Sequence, residues 1–364
     1  MKKKKILHII GGMDRGGAES YIMNTLRNID REKYKFAILT FLPPRDGKKF
    51  VYEDELKELG VEILKVTDNR FRHPRKFIAD VAKIVSDGKY DIVHSHIDFM
   101  SSLSLAGARK GGASRRIAHS HNTNNSKISS KKMKIAASLL RRKLNREATE
   151  RLACGQDAGE FLYGKRMRFT IIHNGIDIQK FRYNSNSRHA MREKLKIGDD
   201  ATVLLNIGRF EAQKNQEYLV SIFADYVRKY KDAKLVIIGE GSLEENIRDK
   251  IASERLEDSV ILLPAQDGME RYYSMADVFV LPSLFEGVPT VGIEAQASGL
   301  KCLFSTNVPE ETKLLDSAEF LPLEENWTSH IVPAGKRADA VKNPAVLEYD
   351  IKSTVKALEK VYDK

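Results

Sequence analysis

The chain has 364 residues, 42% of them hydrophobic, with 61 Lys and Arg against 50 Asp and Glu. That length predicts two domains of about 170–180 residues, while no apolar run approaches the roughly 20 residues of a membrane-spanning helix. Two cysteines in different halves, Cys154 and Cys302, exclude a disulfide framework and point to buried thiols in a reducing compartment.

Charge is unevenly divided. Residues 1–170 carry 36 cations against 19 acids and residues 171–364 carry 25 against 31, so the first half is the one expected to meet an anionic partner. After the lysines that open the chain, the apolar run Ile6–Ile10 is too short for a signal-peptide core and reads as the first strand of a cytoplasmic protein. From there to about residue 305, apolar runs alternate with longer helical patterns, the signature of α/β folds with parallel sheets. Strands are predicted at 5–10, 35–41, 61–65, 91–94, 116–119 and 151–154. After the polar patch Asn184–Ser187 they recur at 203–207, 234–238, 259–263, 277–281 and 301–304. The stretch Leu347–Tyr362 reads as an amphipathic helix through Ile351, Val355, Leu358 and Val361.

Open α/β sheets bind ligands beyond the carboxyl ends of their strands, and that is where the distinctive residues fall. The first strand runs into Gly11-Gly-Met-Asp-Arg-Gly-Gly-Ala-Glu19, a glycine-rich turn before a helix from about Ala18 that matches neither common phosphate-loop pattern. Two strands end in His94-Ser-His96 and His119-Ser-His121-Asn122. Buried histidines often serve structure alone; as functional groups they would line a substrate site as donor or general base. The two His-x-His pairs make a zinc site conceivable, but no acid or cysteine accompanies them at metal-ligand spacing, so no metal is expected.

In the second half, Arg209 and Lys214 follow the first strand and precede a helix, a placement that suits a clamp on a diphosphate. Gly239-Glu-Gly241 ends the next strand and would admit a base or ribose. The stretch Ser283–Gly299 sets Glu286 before a helix predicted over Val291–Ser298 and Glu294 inside it. The helix start favours an anion and the carboxylates accept bonds from hydroxyls, a combination that describes a nucleotide sugar. Finally, Lys127–Arg146 carries eight cations and no acid, with Met133, Ala136, Ala137, Leu140 and Leu144 on one face. It reads either as an ordinary packed helix or as one that adsorbs to anionic lipid.

With these residues placed, the chain resembles the retaining glycosyltransferases of family 4. The resemblance rests on Gly16-Gly17-Ala-Glu19, Asp91-Ile-Val-His94-Ser-His96, His119-Ser-His121-Asn122-Thr123, Asn174-Gly-Ile-Asp177, Gly208-Arg209 with Lys214-Asn215, Ala276-Asp-Val-Phe-Val-Leu-Pro-Ser283, and Glu286 with Glu294, in the family's order. It implies the GT-B architecture: two facing Rossmann-like domains with the active site in their cleft. Residues 1–170 would bind acceptor, 171–346 donor, and a last helix, 347–364, would cross back to the first domain. Carried over, Arg209 and Lys214 hold the donor diphosphate, Glu294 the ribose, and Glu286 with Gly287, Val288 and Pro289 the transferred sugar. His121 is the catalytic-site histidine. Gly17 and Gly239 approach the donor, and His94, His96, His119 and Asn122 lie on the acceptor side.

The resemblance further implies transfer of a hexose or N-acetylhexosamine from a UDP-sugar with no metal or other cofactor. Gly287-Val288-Pro289 departs from the Gly-Phe-Gly frequent in the family, Lys301 from a frequent proline, and His173 from the proline often found before Asn-Gly. This variant is similar to the branch that builds bacterial capsule and exopolysaccharide, where the acceptor is a lipid-diphosphate-linked saccharide at the inner face of the membrane. Alternatives are a transferase with a soluble acceptor, an isomerase resembling UDP-N-acetylglucosamine 2-epimerase, or a basic nucleic-acid binder. Against the last, no aromatic platform or recognised module accompanies the basic segment.

Overall fold

A computed structural model describes the chain apart from residues 1–2, 45–46, 69, 124–129, 334 and 336 and the side chain of residue 131. It divides into two compact units, residues 1–175 with 351–364, and residues 176–350. In the first, β1 (Lys4–Ile9), β2 (Tyr34–Thr40), β3 (Glu62–Lys65), β4 (Ile92–Ser95), β5 (Arg115–Ser120), β6 (Glu150–Ala153) and β7 (Thr170–Ile171) pair in parallel in the order β3-β2-β1-β4-β5-β6-β7. In the second, β8 (Thr202–Ile207), β9 (Ala233–Ile238), β10 (Val260–Leu263), β11 (Val278–Leu281), β12 (Lys301–Ser305) and β13 (Ala318–Leu321) pair in parallel in the order β10-β9-β8-β11-β12-β13. Each sheet reverses its winding once, between β1 and β4 and between β8 and β11. In doubly wound folds that crevice is where ligands bind.

Helices cover both faces of the first sheet. Ile6, Ile10, Ile92 and Ile117 join one core with the helix Gly17–Asn28 and the C-terminal helix Ile351–Asp363. Leu7, Ile9, Val93 and Ala118 join the other with the helices Pro74–Gly88 and Ser101–Lys110. Because strand side chains alternate between faces, His8, His94 and His119 fall on the first face and Ser95 and Ser120 on the second. The registers agree: His8 lies opposite His94, and Ile117 opposite His94 on the far side.

The predicted strands are present with ends shifted by at most one residue. Two edge strands, β7 and β13, escape the sequence pattern because one has two residues and the other four, without a long apolar run. The first unit extends five residues past the expected boundary at 170, since β7 still pairs with β6 and Asn24 donates to the Gly175 carbonyl at 3.0 Å. The predicted terminal helix begins only at Ile351 and runs to Asp363, in the first unit, while its expected first residue, Leu347, ends a separate short helix, Pro344–Leu347, in the second. Ile351, Val355, Leu358, Val361 and Tyr362 are buried in the first unit's core. At about 1.5–3 kcal/mol per fully buried side chain, that stripe fixes the helix there.

The basic helix spans Lys131–Glu147, capped by Ser130 through Met133 N–H; residues 127–129 lie outside the described residues. Its expected apolar face is only partly used. Leu144 is buried and Ala137 and Leu140 are partly so, whereas Met133 and Ala136 are exposed. Packing engages the C-terminal half, and the N-terminal half leaves Ile135 63%, Leu139 60% and Met133 41% exposed.

Candidate active-site residues

In the second unit the sheet reversal brings two loops together. Beyond β8 the chain passes Gly208 and Arg209 to a short turn, Ala212–Lys214, and then Asn215, whose φ of 56° starts the helix Gln216–Lys229. Beyond β11 it passes Pro282 and Ser283 to Glu286. The Leu284 N–H donates to the Gln213 carbonyl at 2.8 Å, Gln213 Nε2 donates to the Phe285 carbonyl at 2.9 Å, and Asn215 Nδ2 to the Pro282 carbonyl at 3.2 Å.

This lacing sets Lys214 Nζ 2.6 Å from Glu286 Oε1, with side chains 12% and 7% exposed. Ser283 Oγ donates to the same oxygen at 2.7 Å, and Gln213 Nε2 lies 3.3 Å from Oε2. Arg209 is exposed, held by one 3.3 Å bond from Nη2 to Gln213 Oε1. The unit thus presents a buried lysine–carboxylate pair and a half-tethered guanidinium at the carboxyl end of its central strands.

Glu294 lies on the helix Thr290–Ala297, one residue earlier at each end than predicted, with Pro289 as N-cap and no side-chain cap. Tyr273 Oη donates to Glu294 Oε2 at 2.7 Å. Burial raises the Glu294 pKa to about 7, against the lowering effect of Tyr273 and Lys180. Val288 packs into the unit's core and Gly287 is partly exposed. Gly239 has a packing reason of its own: a Cβ there would lie 1.9 Å from the Gly208 carbonyl oxygen. Ser283, Gln213 and Tyr273 are the partners that sequence reasoning did not assign; Ser283 was in a quoted motif, but nothing local marks the other two.

In the first unit, Gly17 opens its helix, and a Cβ there would meet nothing within 4 Å. His94, His96, His119 and His121 converge, joined by His8 from β1. His8 Nδ1 is 2.9 Å from His96 Nε2, His96 Nδ1 is 2.9 Å from His121 Nε2, and His121 Nδ1 is 3.3 Å from Asn174 Oδ1. A second chain links Tyr362 Oη to His94 Nδ1 at 2.8 Å and His94 Nε2 to His119 Nδ1 at 3.2 Å. Tyr21 covers the group edge-on to His119, with ring centroids 4.9 Å apart.

Burial pushes His8 down to about 3 and His121 to about 4, and holds His94, His96 and His119 well below the usual imidazole range. The cluster is therefore neutral at pH 7. Both ring nitrogens of His121 are engaged within the unit, which is the setting in which any role for it must be read. Asn122 donates to Asp98 Oδ2 at 2.9 Å; Asp98 has a positive φ of 47° and a pKa raised by burial to about 6.

Comparison with known proteins bears on the family and the fold. A model of glycosyltransferase family 4 matches residues 15–180 and one of glycosyl transferases group 1 matches residues 187–327. The putative glycosyltransferase EpsF of Bacillus subtilis is 32% identical over 99% of this chain and 97% of its own length. The chain belongs to glycosyltransferase family 4. This family-4 chain is also 25% identical, over 98% of each chain, to the capsular polysaccharide biosynthesis glycosyltransferase CapH of Staphylococcus aureus. It is 28% identical, over 63% of its length and 61% of the relative's, to the Escherichia coli UDP-Gal:alpha-D-GlcNAc-diphosphoundecaprenol alpha-1,3-galactosyltransferase. The crystal structure of Anabaena Alr3699/HepE in complex with UDP matches the fold with a TM-score of 0.79 over 99% of each chain, at 15% identity. The fold is that of the GT-B glycosyltransferases.

Proposed function

We propose that this glycosyltransferase moves a hexose or N-acetylhexosamine from a UDP-sugar to a lipid-diphosphate-linked saccharide in capsule or exopolysaccharide synthesis, with retention of anomeric configuration and without a metal at the donor diphosphate. The observation that carries the reading is the Lys214–Glu286 pair at the reversal of the second sheet, with Arg209 beside it. An ammonium and a guanidinium there can neutralise charge growing on a leaving phosphate as the anomeric carbon–oxygen bond breaks. The acceptor oxygen forms the new bond to that carbon and its proton passes to the departing phosphate oxygen. Glu286, tied through Oε1 to Lys214 and Ser283 and through Oε2 to Gln213, accepts a sugar hydroxyl on a remaining lone pair, and Glu294 accepts from the ribose once ionised. UDP as donor nucleotide is supported by the UDP complex of HepE and the UDP-galactose named for the E. coli relative.

The lipid-linked acceptor draws support from that same relative and from the basic helix Lys131–Glu147. Ile135, Leu139 and Met133 lie exposed there among Lys132, Lys134 and Arg142, which suits peripheral attachment to an anionic bilayer at the cytoplasmic face.

A thermal-shift panel of nucleotide sugars tests the donor reading, because a ligand that binds only the folded state raises apparent stability by mass action. UDP-sugars should raise the melting temperature, and GDP- and ADP-sugars should not. No shift with any UDP-sugar at millimolar concentration would refute it. Isomerisation of a UDP-sugar without acceptor would replace it by the epimerase chemistry.

A further inference from the structure

Alternation places His8, His94 and His119 on one face of the first sheet, and the residues just past the ends of β4 and β5 add His96 and His121. One ring nitrogen from each of His96, His119 and His121 lies within 4.8 Å of the other two. The hydrogen bonds say which nitrogen of each ring is anchored away from the other two rings. His121 Nδ1 faces Asn174 Oδ1, His96 Nε2 faces His8 and His119 Nδ1 faces His94. That leaves His121 Nε2, His96 Nδ1 and His119 Nε2. The first two are 2.9 Å apart. The third is buried and meets no partner in hydrogen-bonding geometry among the described residues, although the Ile172 backbone is near enough to oppose its lowered pKa.

We infer that His96, His119 and His121 form a binding site for a first-row divalent transition ion of the Zn²⁺ class. A tetrahedral ion with bonds of about 2.0–2.1 Å spaces its nitrogen ligands roughly 3.4 Å apart; here one pair lies 2.9 Å apart and all three nitrogens lie within 4.8 Å of one another. Ligating histidines characteristically anchor their second nitrogen on a hydrogen-bond partner, and all three do so: on Asn174, His8 and His94. Neutral imidazoles bind without losing a proton. His96 Nδ1 gives up its hydrogen bond to His121 by a tautomer change in which His96 Nε2 becomes the donor to His8 Nδ1. The His8 proton then moves to Nε2, which has no hydrogen-bond partner among the described residues. Each ring carries one proton before and after.

Three imidazoles leave the fourth position to water or a substrate oxygen, and a site without carboxylate favours Zn²⁺, Co²⁺, Ni²⁺ or Cu²⁺ over Mg²⁺ and Ca²⁺. The other histidine triad, His8, His94 and His96, is wholly buried, whereas His121 is partly exposed and gives the chosen site an entry. Such a site departs from the expectation, drawn from the absence of an acid or cysteine at ligand spacing, that these histidines hold no metal; here the ligand set is imidazole alone.

The test is titration of the tag-free, metal-stripped full chain, without nucleotide, with Zn²⁺ by calorimetry and with Co²⁺ by visible absorption. One equivalent of Zn²⁺ should bind with a Kd below about 1 μM, Co²⁺ should show the intense d–d bands of a four-coordinate site, and excess Mg²⁺ should not compete. His119→Gln and His121→Gln should each weaken binding at least about 10-fold, His8→Gln about 10- to 100-fold, and His330→Gln not at all. Absence of a saturable site, or one indifferent to both ligand substitutions, overturns the inference. Should His119→Gln lose its native circular dichroism, His121→Gln, on the partly exposed residue, decides alone.

Discussion

Lys214 and Glu286 meet at 2.6 Å although 72 residues separate them, and both are nearly shut off from water. Arg209 shares the same loop but stands exposed. The two cations should therefore fail differently. Lys214→Ala strands a buried carboxylate, a change that typically costs 3–5 kcal/mol, approximately, in stability, and it should also lower turnover by on the order of 10²–10³. Arg209→Ala should lose comparable activity while its denaturant midpoint stays within about 0.5 kcal/mol of the parent. Equal destabilisation by both would show that the exposed arginine supports the fold instead.

Glu294 gives the second unit a pH signature. Its folded pKa, about 7, exceeds the ordinary 4.5, so between those values the native state binds more protons than the unfolded state. Stability contributed by the protonated form is then present below about 4.5 and declines as pH rises towards 7. Denaturant midpoints for Glu294→Gln, which cannot ionise, should lack this decline. In the parent, affinity for a uridine nucleotide should strengthen through the same interval if the carboxylate accepts ribose hydroxyls. A parent midpoint as flat as the variant's would remove Glu294 as the titrating group.

Leu358 and Val355 are buried in the core of the first unit, although the chain reaches them only after completing the second. Leu358→Ala should destabilise the first unit by about 2–5 kcal/mol. Hydrogen exchange should then rise in β1 and β2 with β8 and β9 unchanged. Uniform acceleration in both sheets would mean that the units unfold as one.

Ile135 and Leu139 touch no core, so Ile135→Ser with Leu139→Ser should leave stability within about 0.5 kcal/mol. It should nevertheless reduce sedimentation with vesicles of anionic phospholipid at low salt, as should raising the salt on the parent protein. Parent protein that stays in the supernatant at every vesicle concentration would end the membrane proposal.

The βαβ alternation was readable in the sequence because parallel strands buried on both faces are written as apolar runs. Edge strands such as β7 are not, since a two-residue pairing leaves no period to detect. Likewise the His-x-His spacing of 94–96 and 119–121 marks one sheet face, whereas His8 stands alone in its strand and only the register against His94 reveals its partners. Asp277 shows the opposite case. It lies in a motif shared with the family, yet its carboxylate takes Arg188 and Arg192 at 2.7 Å each and the Val203 N–H at 2.7 Å, anchoring the start of β11. Tyr273 and Gln213 left no trace because contacts between distant loops depend on where the strands end in space.

The loop from Pro282 to Glu286 is fastened by Gln213, Asn215, Lys214 and the Ser305 hydroxyl, which donates to the Ser283 carbonyl. Its conformational freedom is surrendered when the polypeptide folds, before any sugar nucleotide arrives. Preorganisation of this kind moves the ordering cost out of the binding step. Weakening the fastenings, by Gln213→Ala or Ser305→Ala, should thus surface in calorimetry as a less favourable binding entropy, even though neither side chain need touch the donor.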